Sequence, residues 1–362
     1  MSPAQHSPRD RSPSRFAWVD IAKGICIAAV VCLYTFNTLH NIGVDPGWLT
    51  TWTAFAKPFR MPDFFLISGL FLSRVIDRPW RSYLDTKVLH YFYFIALWSI
   101  FIYLWNWGNL IPEMGVLKSL KLFAYIIYRP EAMLWFIQTL ALYFVVTRLL
   151  RFVPSALLLL FALWLRLSEY HTGIYPIDWF GEFYLFFLCG YVFANFWFAV
   201  ADFALQRKVL AWGFLGAWVV FNQMLVASGA TAFPVVLLAT GMIGITAVVV
   251  LSSLINQFSW AQGFRYLGKN SIVVYLGFYL PLQWMGWWYA QAQTSINHHL
   301  LGAAMVVLSL GAAVLLHVAT RKTALRFLFE RPDWARIAGS KSPASPTHKA
   351  QAPVAAGSEL GG

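Results

Sequence analysis

Long apolar runs dominate the chain and limit what it can fold into. A run of about 20 apolar residues crosses the hydrocarbon core of a bilayer as an α-helix. Charged residues make up only 12% of the 362 residues, about half of the roughly 25% typical of soluble proteins. The predicted fold class is all-α, a polytopic membrane protein with ten transmembrane helices, at residues 17–40, 50–74, 88–107, 132–150, 152–167, 179–200, 209–228, 232–256, 270–292 and 299–320.

Positive charge alternates between the loops that join these spans. Lys and Arg collect in both terminal segments and in every second loop: Arg9, Arg11, Arg15, Arg74, Arg78, Arg81, Lys87, Arg148, Arg151, Arg207, Lys208, Arg265, Lys269, Arg321, Lys322, Arg326 and Arg331. The other loops hold only Lys118, Lys121, Arg129 and Arg166. Cytoplasmic loops of membrane proteins are enriched in Lys and Arg. The alternation survives all ten spans only if both termini are cytoplasmic.

The two ends of the chain differ in composition from its apolar body. Residues 1–15 are rich in Ser, Pro and Arg, and residues 336–362 form a second low-complexity segment. We expect disordered tails on either side of a transmembrane domain at 16–335. The net charge is +12, but the basic residues are scattered among apolar runs, which argues against a nucleic-acid partner. The three cysteines lie in apolar spans and predict no disulfide framework.

Two charged residues interrupt the first span, WVDIAKGICIAAVVCLYTF (18–36). Asp20 and Lys23 are one turn apart and can pair. Tyr34 follows Lys23 by eleven residues, about three turns plus 20°, so it shares their face about 16 Å further along the axis, and Asn37 extends the same face. Charged residues within a span indicate function. A pair at the cytoplasmic boundary, with both side chains reaching the headgroups, is the structural alternative.

The second span begins with KPFRMPDFFLISGLF (57–71) and contains a second pair at the same spacing, Arg60 and Asp63. Pro58 and Pro62 remove two backbone donors, so this helix should be broken or kinked. Such breaks are tolerated where they are buried in protein or line a cavity. The pattern predicts that Arg60 and Asp63 face the protein interior. The alternative is an ion pair at the membrane interface.

Five further side chains are candidate binding residues: Ser68, Trp135, Gln138, His171 and Glu182. Ser68 and Gly69 form a small surface that a neighbouring helix can approach closely. His171 lies in the loop SEYHTGIYPID on the non-cytoplasmic side, where a lone His is more often solvated than catalytic. No metal site is predicted, because the adjacent His298 and His299 diverge on a helix.

The segment GFRYLGKN (263–270) resembles a phosphate-binding loop but does not fit one. It ends in Asn270 instead of Ser or Thr, and no strand precedes it. We interpret it as a cytoplasmic loop whose Gly268 and Asn270 start the ninth span.

Four segments together resemble the acyltransferase-3 family of integral membrane O-acyltransferases. They occur in the family's order and are VDIAKGICIAAVV (19–31), FRMPDFFLISGLF (59–71), LWFIQTLALYF (134–144) and LGKNSIVVYL (267–276). The resemblance covers roughly residues 15–330 and implies ten helices with cytoplasmic termini. Family members move an acyl group, commonly from acetyl-CoA or another acyl-CoA, onto hydroxyls of surface sugars, antibiotics or lipids.

The chain departs from the family at the residue that does the chemistry. The family's first helix carries a basic residue, ten further residues and then a catalytic His; here Lys23 fills the basic position and Tyr34 the His position. Many members also have a His in the ninth span, where this chain has Phe278. A hydroxyl acceptor needs a base, and Tyr, whose ordinary pKa is about 10, is protonated at neutral pH. Either another group on the second or sixth span is the base, or acyl transfer has been lost.

The resemblance therefore predicts an acyltransferase-like protein of the inner membrane that carries out O-acetylation or a related O-acylation. It implies acyl-CoA, with acetyl-CoA among the donors, as a co-substrate entering from the cytoplasm, and no bound cofactor. Lys23 would meet the donor's phosphates or carbonyl, Asp20 would hold Lys23, and Tyr34 would form a hydrogen bond where the family's His works. Arg60 and Asp63 would border the reaction chamber. The expected partners are membrane lipids and a glycan or lipid acceptor.

Two alternatives remain open on the same residues. The first is a non-catalytic family member that binds or translocates a polar lipid or glycan. The second is a secondary transporter with Asp20, Lys23, Arg60 and Asp63 as coupling charges. The absence of an inverted repeat in the sequence counts against the transporter.

Overall fold

The computed structural model describes residues 17–126, 129–130, 132–168, 172–173, 175–292 and 296–337. The predicted N-terminal tail, nearly all of the predicted C-terminal tail and the candidate residue His171 lie outside these residues.

Every regular element in the described ranges is helical, which confirms the all-α prediction for that part of the chain. The described residues form fifteen α-helices: α1 (Ala17–Asn41), α2 (Trp48–Ala56), α3 (Arg60–Gly69), α4 (Trp80–Leu84), α5 (His90–Ile126), α6 (Leu134–Leu149), α7 (Ser155–Leu167), α8 (Tyr175–Val192), α9 (Ala194–Gln206), α10 (Lys208–Ala227), α11 (Pro234–Ile255), α12 (Gln262–Lys269), α13 (Ser271–Gly277), α14 (Tyr279–Ala292) and α15 (His298–Thr320). A π-helix (Asp85–Leu89) joins α4 to α5. Short 3₁₀ helices lie at Leu72–Arg74, Ala230–Ala232, Ser259–Ala261, Ala324–Leu328 and Asp333–Ala335.

Five helical stretches in the described residues are long and apolar enough to cross a membrane, and a bent pair makes a sixth. They are Ala17–Asn41, Trp80–Trp107, Lys208–Ala227, Pro234–Ile255 and His298–Thr320, with the pair Ile177–Val192 and Ala194–Gln206. The remaining predicted spans are shorter or broken helices. Ten spans and two cytoplasmic termini therefore stay predictions.

The predicted break in the second span is confirmed. α2 ends at Ala56 and α3 begins at Arg60, with a turn at residues 57–59 between them. Pro58 lies in that turn, and Pro62 lies in the first turn of α3, where a backbone N–H has no partner within the helix in any case. The break positions the first turn of α3, with Arg60 and Asp63, inside the protein.

Three predicted spans are not single straight helices that end where the span ends. α5 continues past the predicted end at residue 107 to Ile126, with a break at Gly115, whose φ is 77°. The sixth span bends by 74° between α8 and α9. The ninth is divided into α13 and α14 at Phe278.

Residues 263–270 were predicted to form a loop, but in the structure most of them belong to helix α12. Asn270 occupies the N-cap position of α13, but its side chain donates back to the Tyr266 carbonyl (3.0 Å) and makes no capping bond. The helix forms because α12 packs against α1, where any Cβ at Gly24 would meet the Phe264 carbonyl and any Cβ at Gly268 would meet the Asp20 carbonyl.

Glycines also let α3 and α8 cross backbone to backbone. A Cβ at Gly69 would collide with the Phe187 carbonyl, and a Cβ at Gly190 would collide with the Leu66 carbonyl. Small residues at such crossings let membrane helices approach closely. The small surface predicted at Ser68 and Gly69 is thus a helix contact, and it fixes Arg60 on α3 relative to Glu182 on α8.

Different helix ends lie close together at the two ends of α1. Near the end of α1, the backbone N–H of Trp48, the first residue of α2, donates to His299 Nδ1 (3.2 Å), so the start of α2 packs on the start of α15. At the start of α1, Asp20 interacts electrostatically with Lys269, in one of the positively charged segments. The grouping of segments at the two ends agrees with the predicted alternation.

The C-terminal segment folds back onto the π-helix and α5. Arg331 is 7% exposed and forms an ion pair with the buried Asp85, whose carboxylate also accepts from the Ile337 backbone N–H (3.0 Å). Tyr93 and Trp98 of α5 donate to the Phe327 and Leu328 carbonyls. These contacts hold residues 327–337 against the body of the protein.

Candidate active site

The polar face of α1 opens into two cavities. The Lys23 cavity has a volume of about 130 Å³, and its lining includes Lys23, Phe64, Ser68, Tyr91, Phe136 and Ser271. The Arg60 cavity has a volume of about 380 Å³, and its lining includes Tyr34, Asn37, Lys57, Arg60, Trp135, Arg166, Trp179, Glu182 and Phe186. The structure therefore brings Tyr34, Arg60, Trp135 and Glu182 together in the Arg60 cavity. Lys23 and Ser68 line the Lys23 cavity instead.

Tyr275 on α13 lines both cavities. Its hydroxyl donates to the Met133 carbonyl, just before α6, and its ring lies 5.6 Å from that of Phe136. The Tyr275 side chain thus forms part of the partition between the two spaces. Sequence reasoning missed this residue, although the family-like segment LGKNSIVVYL contains it.

Arg60 and Asp63 both face the interior, as predicted, but they do not pair with each other. Asp63 is fully buried, and its carboxyl group accepts a hydrogen bond from Cys26 Sγ on α1 (2.6 Å). Arg60 is 7% exposed and lines the Arg60 cavity, and its Nε and Nη1 have no hydrogen-bond partner. The two side chains, one turn apart on α3, therefore serve different neighbours, which corrects the predicted ion pair.

Glu182 lies beside a basic residue that the sequence analysis assigned to a loop. Arg166, near the end of α7, is 7% exposed and reaches Glu182 on α8 with a 3.4 Å contact from Nη1 to Oε2. The pair is buried on the Arg166 side and partly open on the Glu182 side, which faces the cavity. Glu182 is thus the carboxylate in the same cavity as Tyr34.

Aromatic rings form one wall of the Arg60 cavity. The Trp135 and Trp179 rings lie 4.4 Å apart between centroids, and Trp179 stacks on Phe183 at 6.1 Å. Trp135 is one of the candidate binding residues named from the sequence. Trp179 is not, because it lies at the predicted start of the sixth span, where Trp is commonly an interfacial anchor. The tertiary contact between α6 and α8 shows that both belong to the cavity.

Tyr34 packs against Phe278 and Tyr279 at 5.5 and 5.9 Å between ring centroids. Its side chain also interacts with Trp135 and lies close enough to Arg60 for an electrostatic interaction. Tyr34 and Phe278 are the two positions at which the resemblance implies histidines. The structure brings these two positions into contact, so both departures from the family occur at one place.

Lys23 is half-buried and has basic neighbours. It interacts electrostatically with Asp20 and with Lys87 of the π-helix, whose ammonium lies 4.7 Å from the centre of the Phe144 ring. Both Asp20 and Lys23 lie in the described part of the chain, and no contact of 4.0 Å or less joins their charged atoms. Asp20 and Lys23 therefore interact electrostatically, but they do not form the salt bridge that their spacing allows.

The structure does not point to a role in the chemistry for Gln138 or Ser68. Gln138 is partly buried on α6 and lines neither cavity, and the Ser68 hydroxyl donates to the Phe64 carbonyl within its own helix (2.8 Å). Among the described residues, no three His, Cys, Asp or Glu side chains are placed to hold a metal ion.

Two comparisons with known proteins found matches for this chain. The chain matches the family model of the acyltransferase domain, Acyl_transf_3, over residues 16–318. It is 27% identical over 292 residues to the inner membrane protein YcfT of Escherichia coli (strain K12), a match that covers 71% of this chain and 77% of that protein. No solved structure matches significantly. With its apolar helices and this relative, the chain is an integral inner-membrane protein, and it belongs to the acyltransferase-3 family.

Proposed function

We propose that the protein transfers an acyl group from acyl-CoA to a hydroxyl group of a surface glycan or lipid. The observation that supports this most directly is the pair of cavities on one face of α1, which meet at Tyr275. Two substrates that approach from opposite sides of a membrane need such an arrangement. The proposal includes the ten-span topology, with the Lys23 cavity on the cytoplasmic side.

The donor would bind through the basic groups at the Lys23 cavity. Lys23 and Lys87 lie close to each other, and Arg265 and Lys269 lie close to Asp20. Ammonium and guanidinium groups bind phosphate by charge-assisted hydrogen bonds. CoA carries several phosphates at one end and the thioester at the other. This polarity suits a site in which the basic groups lie at one end and the reaction chamber at the other.

Glu182 would act as the general base. It shares the Arg60 cavity with Tyr34, and Arg166 orients it through the 3.4 Å contact. The acceptor oxygen attacks the thioester carbonyl carbon, Glu182 takes the hydroxyl proton, and a C–O bond forms. The C–S bond then breaks, and the CoA thiolate leaves with that electron pair and takes up a proton. Tyr34 would donate a hydrogen bond in the chamber.

The contact between Tyr34 and Phe278 supports a second candidate. Where the resemblance implies two histidines, this chain places two aromatic rings that do not accept a proton at neutral pH. A protein that binds or moves a polar lipid or glycan through the Arg60 cavity, without turnover, would need no base there.

The test is acyl transfer by the purified protein in liposomes. Radiolabelled acetyl-CoA and a longer acyl-CoA are supplied, and CoA release and label in lipid and glycan extracts are measured. We expect transfer by the natural sequence, a loss of about 10²-fold or more with Glu182→Gln, and a raised KM for the donor with Lys23→Ala.

Glu330→Gln is the matched control, because Glu330 pairs with Arg326 (2.5 Å) and lines neither cavity. This variant should retain full activity. If no donor gives labelled product while a ligand binds the Arg60 cavity, the non-catalytic candidate replaces the enzyme. If Glu182→Gln is as active as the natural sequence, Glu182 is not the base.

A further inference from the structure

We propose that the Arg60 cavity binds a ligand that carries a carboxylate or phosphate group, and that Arg60 holds this anion. If the protein is an acyltransferase, this ligand is the acceptor, and its chemical class is then that of an anion. Only the identification of the ligand as the acceptor rests on the proposed function. The binding itself requires no turnover.

The first argument is the state of the Arg60 side chain. It is 93% buried, it lines the cavity, and neither Nε nor Nη1 has a partner. A buried charge without a hydrogen-bonded counterpart is strongly unfavourable. A carboxylate or phosphate is a suitable partner for this guanidinium, because its oxygens can accept two parallel hydrogen bonds from the planar N–H groups.

The second argument is that the acids near Arg60 have other partners. The Asp63 carboxyl group accepts from Cys26, and Glu182 contacts Arg166. In the described lining of the cavity, Lys57, Arg60 and Arg166 carry positive charge and Glu182 carries negative charge, a surplus of two positive charges. Arg166 Nε is also buried without a partner. The described lining therefore has more positive than negative charge, and an anionic ligand would balance the excess.

The third argument concerns the rest of the ligand. The Trp135 and Trp179 rings give the cavity a broad aromatic wall, and Asn37 adds an amide that can both donate and accept. Aromatic faces pack against the apolar face of a sugar ring, and an amide pairs with hydroxyl groups. An anionic, hydroxylated ring fits this combination better than a free inorganic anion does.

The experiment measures binding to the purified protein in phosphatidylcholine nanodiscs, without acyl-CoA. The probes are glucuronate, glucose 6-phosphate and glucose, and isothermal titration calorimetry gives each Kd. Glucuronate and glucose 6-phosphate separate a carboxylate from a phosphate, and glucose is the neutral counterpart. We expect at least one anionic probe to bind about tenfold or more tightly than glucose.

Arg60→Met tests whether Arg60 causes the preference. We expect the ratio of affinities to fall to about one. Because the variant removes an unpartnered buried charge, it should unfold at a temperature no lower than the natural sequence does. Arg148→Met is the matched control. Arg148 is also buried, with Nε and Nη1 unpartnered, but it lines neither cavity, lies over the Trp80 and Tyr83 rings and donates to the Arg78 carbonyl. It should lose stability and keep the preference for the anion.

Three results would overturn the inference: equal affinities for anionic and neutral probes, no binding of any probe, or a preference that survives Arg60→Met. A failure of acyl transfer would not affect these measurements. Anion binding without turnover would reject the catalytic proposal and keep this one.

Discussion

At the scale of single residues, the site is defined by which partner each polar side chain has. Asp63 accepts from Cys26, Glu182 contacts Arg166, and Arg60 Nε and Nη1 have no hydrogen-bond partner among the described residues. Helical spacing alone suggested a pair between Arg60 and Asp63. A spacing of three residues permits a contact, but neighbouring helices decide whether it forms, since α1 offers the Cys26 thiol to Asp63.

Coupling energies should follow these observed partners. We expect Cys26→Ala and Asp63→Asn to be non-additive, with an interaction of about 0.5–3 kcal/mol. Arg60→Met and Asp63→Asn should add to within about 0.5 kcal/mol, because no contact joins the two charged groups. The free energy of unfolding in mixed SDS and detergent micelles measures both cycles. Additivity for Cys26 with Asp63, or strong coupling of Arg60 with Asp63, would contradict the observed pairing.

Tyr34→His should raise acyl transfer. The imidazole would occupy a planar site beside Phe278 and Trp135 and introduce a base where the family has one. General-base catalysis is typically worth about 10²–10⁴ in rate, and we expect a gain of about 10²-fold in the labelled-donor assay. Tyr34→Phe keeps the ring without a base and should give no gain. A histidine variant no faster than the phenylalanine variant would exclude a reacting centre at this position.

At the scale of helices, close crossings hold the site together. α3 carries Arg60 and α8 carries Glu182, and the two helices meet at Gly69 and Gly190. α1 and α12 meet in the same way at Gly24 and Gly268. The cavity depends on these contacts, because its polar groups lie on different helices.

Gly190→Ala should separate α3 from α8. The new Cβ would collide with the Leu66 carbonyl, a backbone atom that cannot move by a rotamer change. We expect a lower unfolding temperature and weaker binding of the anionic probe, since Arg60 would move relative to Glu182. Gly216→Ala on α10 is the control, because a Cβ there meets nothing within 4 Å. Helix propensity favours that change by about 0.5–1 kcal/mol. Equal behaviour of the two variants would refute the tight crossing.

At the scale of the whole molecule, charge and loop contacts divide the protein into two ends. Trp48 and His299 join the start of α2 to the start of α15, whereas the start of α1 lies near basic residues such as Lys269. The positive-inside rule predicts that the basic end lies in the cytoplasm.

Reporter fusions test this orientation. Fusions at Asp45, Gly229 and Asn297 should report outside, and fusions at Asp77 and Gln257 should report inside. All five positions lie outside the α-helices. Two outside positions that score as cytoplasmic would reject the ten-span arrangement.

The sequence by itself determined the features that depend on local chemistry. Apolar runs define a membrane protein, a rotation of about 100° per residue places Lys23 and Tyr34 on one face, and prolines break the helix before Arg60. These follow from the residues within one segment.

Only the tertiary structure decided which segments meet. Arg166 was a loop charge in the sequence but contacts Glu182 sixteen residues later, Tyr275 came to lie between the two cavities, and α12 formed where a loop was expected. The physical reason is that each of these features depends on how one helix packs against another, which the sequence of a single segment does not specify. Periodicity identifies the buried face of a helix, but the shapes of both partners, set here by glycines at the crossings, determine what that face touches.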